Sequence, residues 1–222
     1  MRRLLFPMLV AACVLAALLP GHARQAPSAP LRLAIAGLVH GHVTGFLRSA
    51  QARQDVQIVG VFEPDKALLQ KYAERYELAD AVLFTDLAAM LDRTKPEAVA
   101  AFTNTFDHAA VVEAAAPRRI DVMMEKPLAV SNAHAQRIRR AAERGGIDVL
   151  VNYETTWYPS HGAIWALVKQ RGAAGGIRKM VAMDGHQGPK AINVQPEFLE
   201  WLSDPVRNGA GRSSISAATA RI

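Results

Sequence analysis

The sequence predicts an α/β protein: a doubly wound parallel sheet of the Rossmann type, followed by the incomplete start of an α+β domain. Three observations carry this. Short apolar runs of strand length alternate with helical stretches of about 10 to 15 residues from Leu31 to Tyr153, the first run ends on a glycine, and the rhythm changes from Tyr158 onward. Strands that alternate with such helices make βαβ units and therefore a parallel sheet.

Leu31 to Gly37 (LRLAIAG) is too short for a helix and suits a buried strand, and Val56 to Phe62 (VQIVGVF) is the second. Lys66 to Tyr76 has helical spacing. Asp86 is placed to cap a helix carrying Leu87, Met90 and Leu91, and Ala98 to Thr103 is the next strand. Asp107 is placed to cap a helix running through Ala116, and Ile120 to Met124 is a further strand. Ser131 or Asn132 caps a helix that ends at Gly145-Gly146, and Val149 to Tyr153 is the last strand of the series. Beyond it a helix is expected near Ser160 to Gln170, a glycine turn at Gly172 to Gly176, a strand from Ile177 to Met183, and then a loop.

The chain has 222 residues, 50% hydrophobic and 21% charged, which is neither disordered nor fibrous. Its net charge of +6 includes Arg2, Arg3, Arg212 and Arg221 at the two ends; without them 22 basic residues face 20 acidic ones. No stretch interleaves Lys and Arg with aromatics, so a nucleic-acid partner is not expected. Residues 1–23 have the parts of a secretory signal: Arg2-Arg3, an apolar run from Leu4 to Leu19, and Gly21-His22-Ala23 as a small-x-small cleavage site. The run is broken by Pro7 and is shorter than the roughly 20 residues of a membrane span, so a periplasmic or secreted protein without stable membrane insertion is expected. Cys13, the single cysteine, leaves with the leader. Its setting, Val10-Ala11-Ala12-Cys13, resembles a lipoprotein box only weakly, since more apolar residues follow it. Residues 24–30 read as a polar, Pro-containing linker.

The turn after the first strand is Gly37-Leu38-Val39-His40-Gly41-His42. A dinucleotide-binding turn delivers the chain to a helix N-terminus, whose free N–H groups and dipole hold the pyrophosphate. Against G-x-G-x-x-G, Gly37 fits the first position, while Val39 and His42 stand at the second and third. The turn alone is compatible with a structural role or with a phosphate cradle in which Gly41 and Gly45 give flexibility and imidazoles such as His40 bond the phosphate. Glu63 ends the second strand 26 residues after Gly37, where an acid accepts hydrogen bonds from both adenosine ribose hydroxyls and favours NAD over NADP; a solvated turn acid before Pro64 is the other reading. His40 and His42, with His108 or Asp184 and His186, lack zinc-like spacing, and no metal is expected.

The most specific feature is Val122-Met123-Met124-Glu125-Lys126-Pro127-Leu128, a strand leading into Glu-Lys-Pro at the carboxyl edge of the sheet, where open α/β sheets bind ligands. With Thr103-Asn104 and His108 before it and the Ser131 helix after it, this motif resembles the Gfo/Idh/MocA family of sugar and polyol dehydrogenases over residues 31 to about 211. The resemblance implies an NAD cofactor (NADP being possible), a small sugar-like substrate, homo-oligomers for full-length members, and a role for Lys126 at the nicotinamide and the substrate hydroxyl. A lysine at a strand end beside a cofactor can polarise a hydroxyl or carbonyl during hydride transfer. Glu125 would orient it. Thr103 and Asn104 resemble the loop along the cofactor, Asn152-Tyr153 the strand end below the nicotinamide, and Trp157 and Pro159 the link into the second domain. The candidate catalytic residue is thus Lys126; the candidate cofactor residues are Gly37, His40, Gly41, Glu63, Thr103, Asn104, His108, Glu125 and Asn152.

The expected organisation is a leader (1–23), a linker (24–30), a dinucleotide-binding domain (31–153), a partial second domain (154–211) and an aberrant tail (212–222). After Gly211 the family would show Leu-x-Asp-x-Gly-x-His, and Arg212 to Ile222 do not. One codon choice for those eleven residues, read from its third base, gives Leu-Phe-Asp-Phe-Gly-Cys-Tyr-Gly-Ala-Asn, so a frameshift near Gly211 is expected, with Tyr where the histidine would be. The leading reading is an exported NAD(P)-dependent oxidoreductase, C-terminally truncated. A non-catalytic sugar-binding protein on the same fold, an NAD-dependent glycoside hydrolase-like enzyme and an inactive fragment are its alternatives.

Overall fold

The computed structural model describes residues 29–170, 175–176, 179, 181 and 187–209. Leader, lipobox cysteine, most of the linker, the greater part of the Gly172 turn and Ile177 strand, Asp184, His186 and the tail lie outside the described residues. Six strands form one parallel sheet in the order β3-β2-β1-β4-β5-β6: β1 Leu31–Ala36, β2 Val56–Phe62, β3 Leu83–Phe84, β4 Ala98–Ala101, β5 Asp121–Glu125 and β6 Val149–Asn152. The doubly wound fold is as the alternation predicts. The helices between them are α1 Val43–Gln51, α2 Lys66–Arg75, α3 Leu87–Thr94, α4 His108–Ala115 and α5 Asn132–Gly145.

Side chains of β1 alternate between the two faces of the sheet, as the period of two requires. Leu33 and Ile35 join Leu38, Val43, Leu47, Leu69, Tyr72 and Phe102 under α1 and α2. Ala34 and Ala36 join Met90, Val99, Val112, Met124 and Ile138 under α3, α4 and α5. Burial on both faces is why the strands read as continuous apolar runs rather than as alternating ones.

Most helix starts follow the predicted chemistry. Asp86 accepts from the Ala89 amide, Ser131 Oγ from the His134 amide, and α5 ends at Gly146 with φ 62°. Asp107 differs. It stands before α4 without capping it, because its carboxylate takes the Asn104 amide at 2.7 Å; Asn104 Oδ1 in turn caps the short 3-10 turn Thr105–Asp107.

Past the sheet the chain makes α6 Pro159–Trp165, continued by a π-turn over Ala166–Gln170, and then α7 Pro196–Leu202 and α8 Pro205–Asn208 where a loop was expected. Residues 194–209 dock back onto the first domain. Phe198, Trp201 and Leu202 pack with Val39 and Val194, and Gly209, at φ 88°, lies so close to Val130 that an added Cβ would sit 2.8 Å from its Cα. No helix among the described residues is long and apolar enough to cross a membrane.

Candidate active site

The chain leaves β1 toward β2 on one side and returns to β4 on the other, so the carboxyl ends of β1 and β4 flank the switch point of the sheet, where α/β folds place ligands. The β1–α1 turn, the Thr103 loop and the Glu125-Lys126 strand end meet there.

Gly37 makes the turn possible. Its φ is 86°, and an added Cβ would lie 2.6 Å from Thr103 Cγ2 and 2.8 Å from both Thr103 Cα and N. Only glycine tolerates both the conformation and the approach. The turn is tied down by Gly37 N–H to the Phe62 carbonyl (2.8 Å) and His40 N–H to the Phe102 carbonyl (3.0 Å). Gly41 is also crowded, its missing Cβ facing Gln195 Oε1 at 3.0 Å and Phe198 at 3.2 Å, whereas Gly45 faces open space within α1. The flexibility expected of Gly45 therefore has no structural counterpart. Val39 does not point into the sheet edge but into the α7 cluster, and its carbonyl accepts from Trp201 Nε1 at 3.1 Å.

The N-terminus of α1 carries neither a capping side chain nor an acid in its first turn. Its positive end points at the switch point, a position suited to anion binding, although Val43 N–H already donates to the His40 carbonyl at 3.1 Å.

Glu63 is buried, 3% exposed, and turns inward on the same turn. Oε2 accepts from Leu38 N–H at 2.8 Å and Oε1 from Asp65 N–H at 3.2 Å. Burial raises its pKa, and these two amides partly oppose the rise. Each carboxylate oxygen has a second lone pair beyond the one used.

Glu125 is completely buried. Asn152 Nδ2 donates to Oε1 at 2.9 Å, His42 Nδ1 lies 3.1 Å from the same oxygen, and His40 Nε2 lies 3.9 Å from Oε2. Burial works to raise the Glu125 pKa; the hydrogen bond from His42, the electrostatic pull of the imidazoles beside it and the Asn152 bond outweigh it and hold the group well below the usual carboxylate range. His40, stacked edge-on against Phe198 at 4.8 Å, is held neutral by burial, its pKa lowered to about 3 although Glu125 pulls the other way.

The remaining predicted residues divide. Lys126, partly buried and followed by a cis peptide to Pro127, continues directly from Glu125 at the sheet edge. Asn152 joins the site through Glu125. Thr103 walls Gly37, while its Oγ1 donates to the Asn104 carbonyl; Asn104 spends both side-chain polar atoms on Asp107. His108 is buried, and its Nδ1 meets the Leu128 carbonyl at 3.3 Å, which anchors the loop after Glu-Lys-Pro. Sequence reasoning missed Gln195 and Trp201, which bond the Gly41 and Val39 carbonyls from more than 150 positions away. A cavity of about 430 Å³ lined by Arg48, Gln51, Arg75, Tyr76 and Glu77 lies at the far ends of α1 and α2, away from this chemistry.

Residues 31–153 match Gfo/Idh/MocA, an oxidoreductase family with an NAD-binding Rossmann fold. A D-apiose dehydrogenase of Paraburkholderia graminis is 28% identical over 108 residues, which are 49% of this chain and 28% of that protein. A dTDP-3,4-didehydro-2,6-dideoxy-alpha-D-glucose 3-reductase of Streptomyces antibioticus is 27% identical over 156 residues, 70% of this chain and 46% of that one. Among solved structures, an oxidoreductase from Agrobacterium radiobacter in complex with NAD+, L-tartaric acid and magnesium superposes with TM-score 0.60 at 22% identity, over 66% of this chain and 42% of its own. Myo-inositol 2-dehydrogenase from Lactobacillus plantarum gives 0.59 at 19% identity, over 67% and 43%. At such identities the two structures speak for the fold. The chain spans less than half the length of any of these four proteins.

Proposed function

This chain belongs to the Gfo/Idh/MocA oxidoreductase family, and from that premise we propose that it carries the dinucleotide-binding half of an exported NAD(P)-dependent enzyme that oxidises or reduces a sugar- or polyol-like substrate. The observation that carries the reading is the uncapped N-terminus of α1 at the switch point, on the same sheet edge as Lys126. The names of the two sequence relatives, both acting on sugars, support the substrate class. The charge and apolar pattern of residues 1–23 supports export.

A bound nicotinamide supplies the hydride acceptor or donor; the protein supplies position and charge. The amides at the start of α1 hold the pyrophosphate, and Glu63 offers its remaining lone pairs to ribose hydroxyls while repelling a 2′-phosphate, which favours NAD. Lys126 holds the substrate oxygen by a hydrogen bond: as ammonium it gives its proton to a carbonyl oxygen as hydride arrives, and in the reverse direction its neutral amine takes the hydroxyl proton as hydride leaves. Glu125, ionised and fixed by Asn152, balances the charge of Lys126 from the buried side.

The test is absorbance at 340 nm with the purified chain, NAD+ and a panel of aldoses and polyols. Turnover lost on Lys126→Ala, with NAD+ affinity kept, supports the assignment. Turnover that survives Lys126→Ala removes Lys126 from the chemistry.

A further inference from the structure

Two histidines of the β1–α1 turn have no place in dinucleotide binding as the glycine pattern defines it, His42 standing where the third glycine would be. Although 83 residues separate His42 from Glu125 in sequence, the fold brings His40, His42 and Glu125 into one group. One imidazole nitrogen from each histidine and one carboxylate oxygen all lie within 4.8 Å of one another.

We propose that His40, His42 and Glu125 form a binding site for a divalent transition-metal ion of the zinc class. Four features support it. Glu125 is fully buried, and its Oε2, on the side of His40, has no hydrogen-bond partner among the described residues. A buried carboxylate oxygen left unpaired carries a large desolvation cost, which a bound cation removes. The donor set, two imidazoles and one carboxylate, is that of three-ligand zinc sites with room for a further ligand, and it is poorly matched to magnesium or calcium, which take oxygen donors. Tetrahedral bonds of about 2.0 to 2.2 Å put donors roughly 3.3 Å apart; His42 Nδ1 lies 3.1 Å from Oε1 and His40 Nε2 3.9 Å from Oε2, the other oxygen, and with the three ligand atoms spread over as much as 4.8 Å the site closes by movement of the 37% exposed His42 side chain toward His40. Finally, the ligands are held from behind, Glu125 by the hydrogen bond from Asn152, as ligating carboxylates are in metal sites, and the His40 ring by packing against Phe198 and Trp201.

Ligation through His40 Nε2 puts the ring proton on Nδ1. The His42 amide, now 3.3 Å from Nδ1, would then face a second donor, so the same movement of His42 that closes the site must also turn its amide away. Three protein ligands leave a fourth position for water or an oxygen of a substrate. The site does not depend on the nicotinamide reading, since its ligands are the protein's own and no dinucleotide is needed for it to fill.

The test uses the full chain, stripped with chelator, without an affinity tag and without nucleotide. Titration with ZnCl2 by calorimetry is expected to show one equivalent bound. Affinity should fall by at least about tenfold in His42→Ala and in Glu125→Gln, while His161→Ala, an exposed histidine away from the cluster, leaves it unchanged. Substitution with Co2+ should give visible d–d bands and two paramagnetically shifted, exchangeable imidazole N–H resonances in wild type, a readout that needs no variant to fold. Absence of stoichiometric binding, binding indifferent to both substitutions, or Co2+ spectra without imidazole resonances each overturn the proposal.

Discussion

Two glycines of the β1–α1 segment are predicted to respond to alanine with opposite signs. At Gly37 the φ of 86° costs an L-residue about 1 to 2 kcal/mol. The added Cβ meets Thr103 at 2.6 to 2.8 Å, and two of the three atoms it meets are backbone, so the end of β4 must move. Overpacking of that kind costs about 1 to 3 kcal/mol. The entropy taken from the unfolded chain returns about 0.4 to 1 kcal/mol. Gly37→Ala should therefore destabilise by roughly 1 to 4.5 kcal/mol, a large share of the stability of a domain worth about 5 to 15 kcal/mol. Gly45 lies inside α1 with nothing within 4 Å of its missing Cβ, so Gly45→Ala should stabilise by about 0.5 to 1 kcal/mol. Urea denaturation followed by circular dichroism and tryptophan fluorescence reads both. A loss below about 1 kcal/mol at Gly37 would refute the close approach of this turn to Thr103, and a loss at Gly45 would refute its open setting within α1.

Two further predictions follow from the site's surroundings. Trp201 is 3% exposed and donates to the Val39 carbonyl; Trp201→Ala should cost about 3 to 5 kcal/mol of local packing, releasing residues 194–209 to limited proteolysis while the sheet stays folded, and unchanged cleavage would argue against the docking. Burial lowers the His108 pKa below its ordinary 6.5, so the fold prefers the neutral ring. The stability this gives is complete above about pH 6.5 and is lost as pH falls below it, by up to about 1.4 kcal/mol per pH unit. His108→Gln in chelator-treated protein should flatten the stability–pH slope just below 6.5; an unchanged slope would contradict a buried neutral His108.

The sheet was legible because both of its faces are covered: strands buried on two sides become unbroken apolar runs, and Asp86, Ser131 and Gly146 mark helix ends with the chemistry that ends helices. β3 escaped because two residues, Leu83 and Phe84, leave no period to read. α7 and α8 escaped because each is short and begins at a proline, and what defines them is contact with Val39, not a pattern of their own. The site was legible where a single strand presents it, as at Glu125-Lys126. The partnership of Glu125 with His40, His42 and Asn152 is made by the order of strands, β1 and β6 brought to either side of the β4–β5 pair, and no local spacing records that. Asn104 and His108 were read as cofactor groups from resemblance; in the fold the Asn104 side chain bonds Asp107 and His108 Nδ1 meets the Leu128 carbonyl.

The α1 N-terminus, with Glu63 beside it, is expected to hold a dinucleotide. Fluorescence titration of the purified chain with NADH should saturate at one site, with NADPH at least about tenfold weaker because a 2′-phosphate meets the Glu63 carboxylate, and Glu63→Ala should remove that preference. A chain that is folded by circular dichroism, yet shows no saturable binding of either nucleotide, would contradict it.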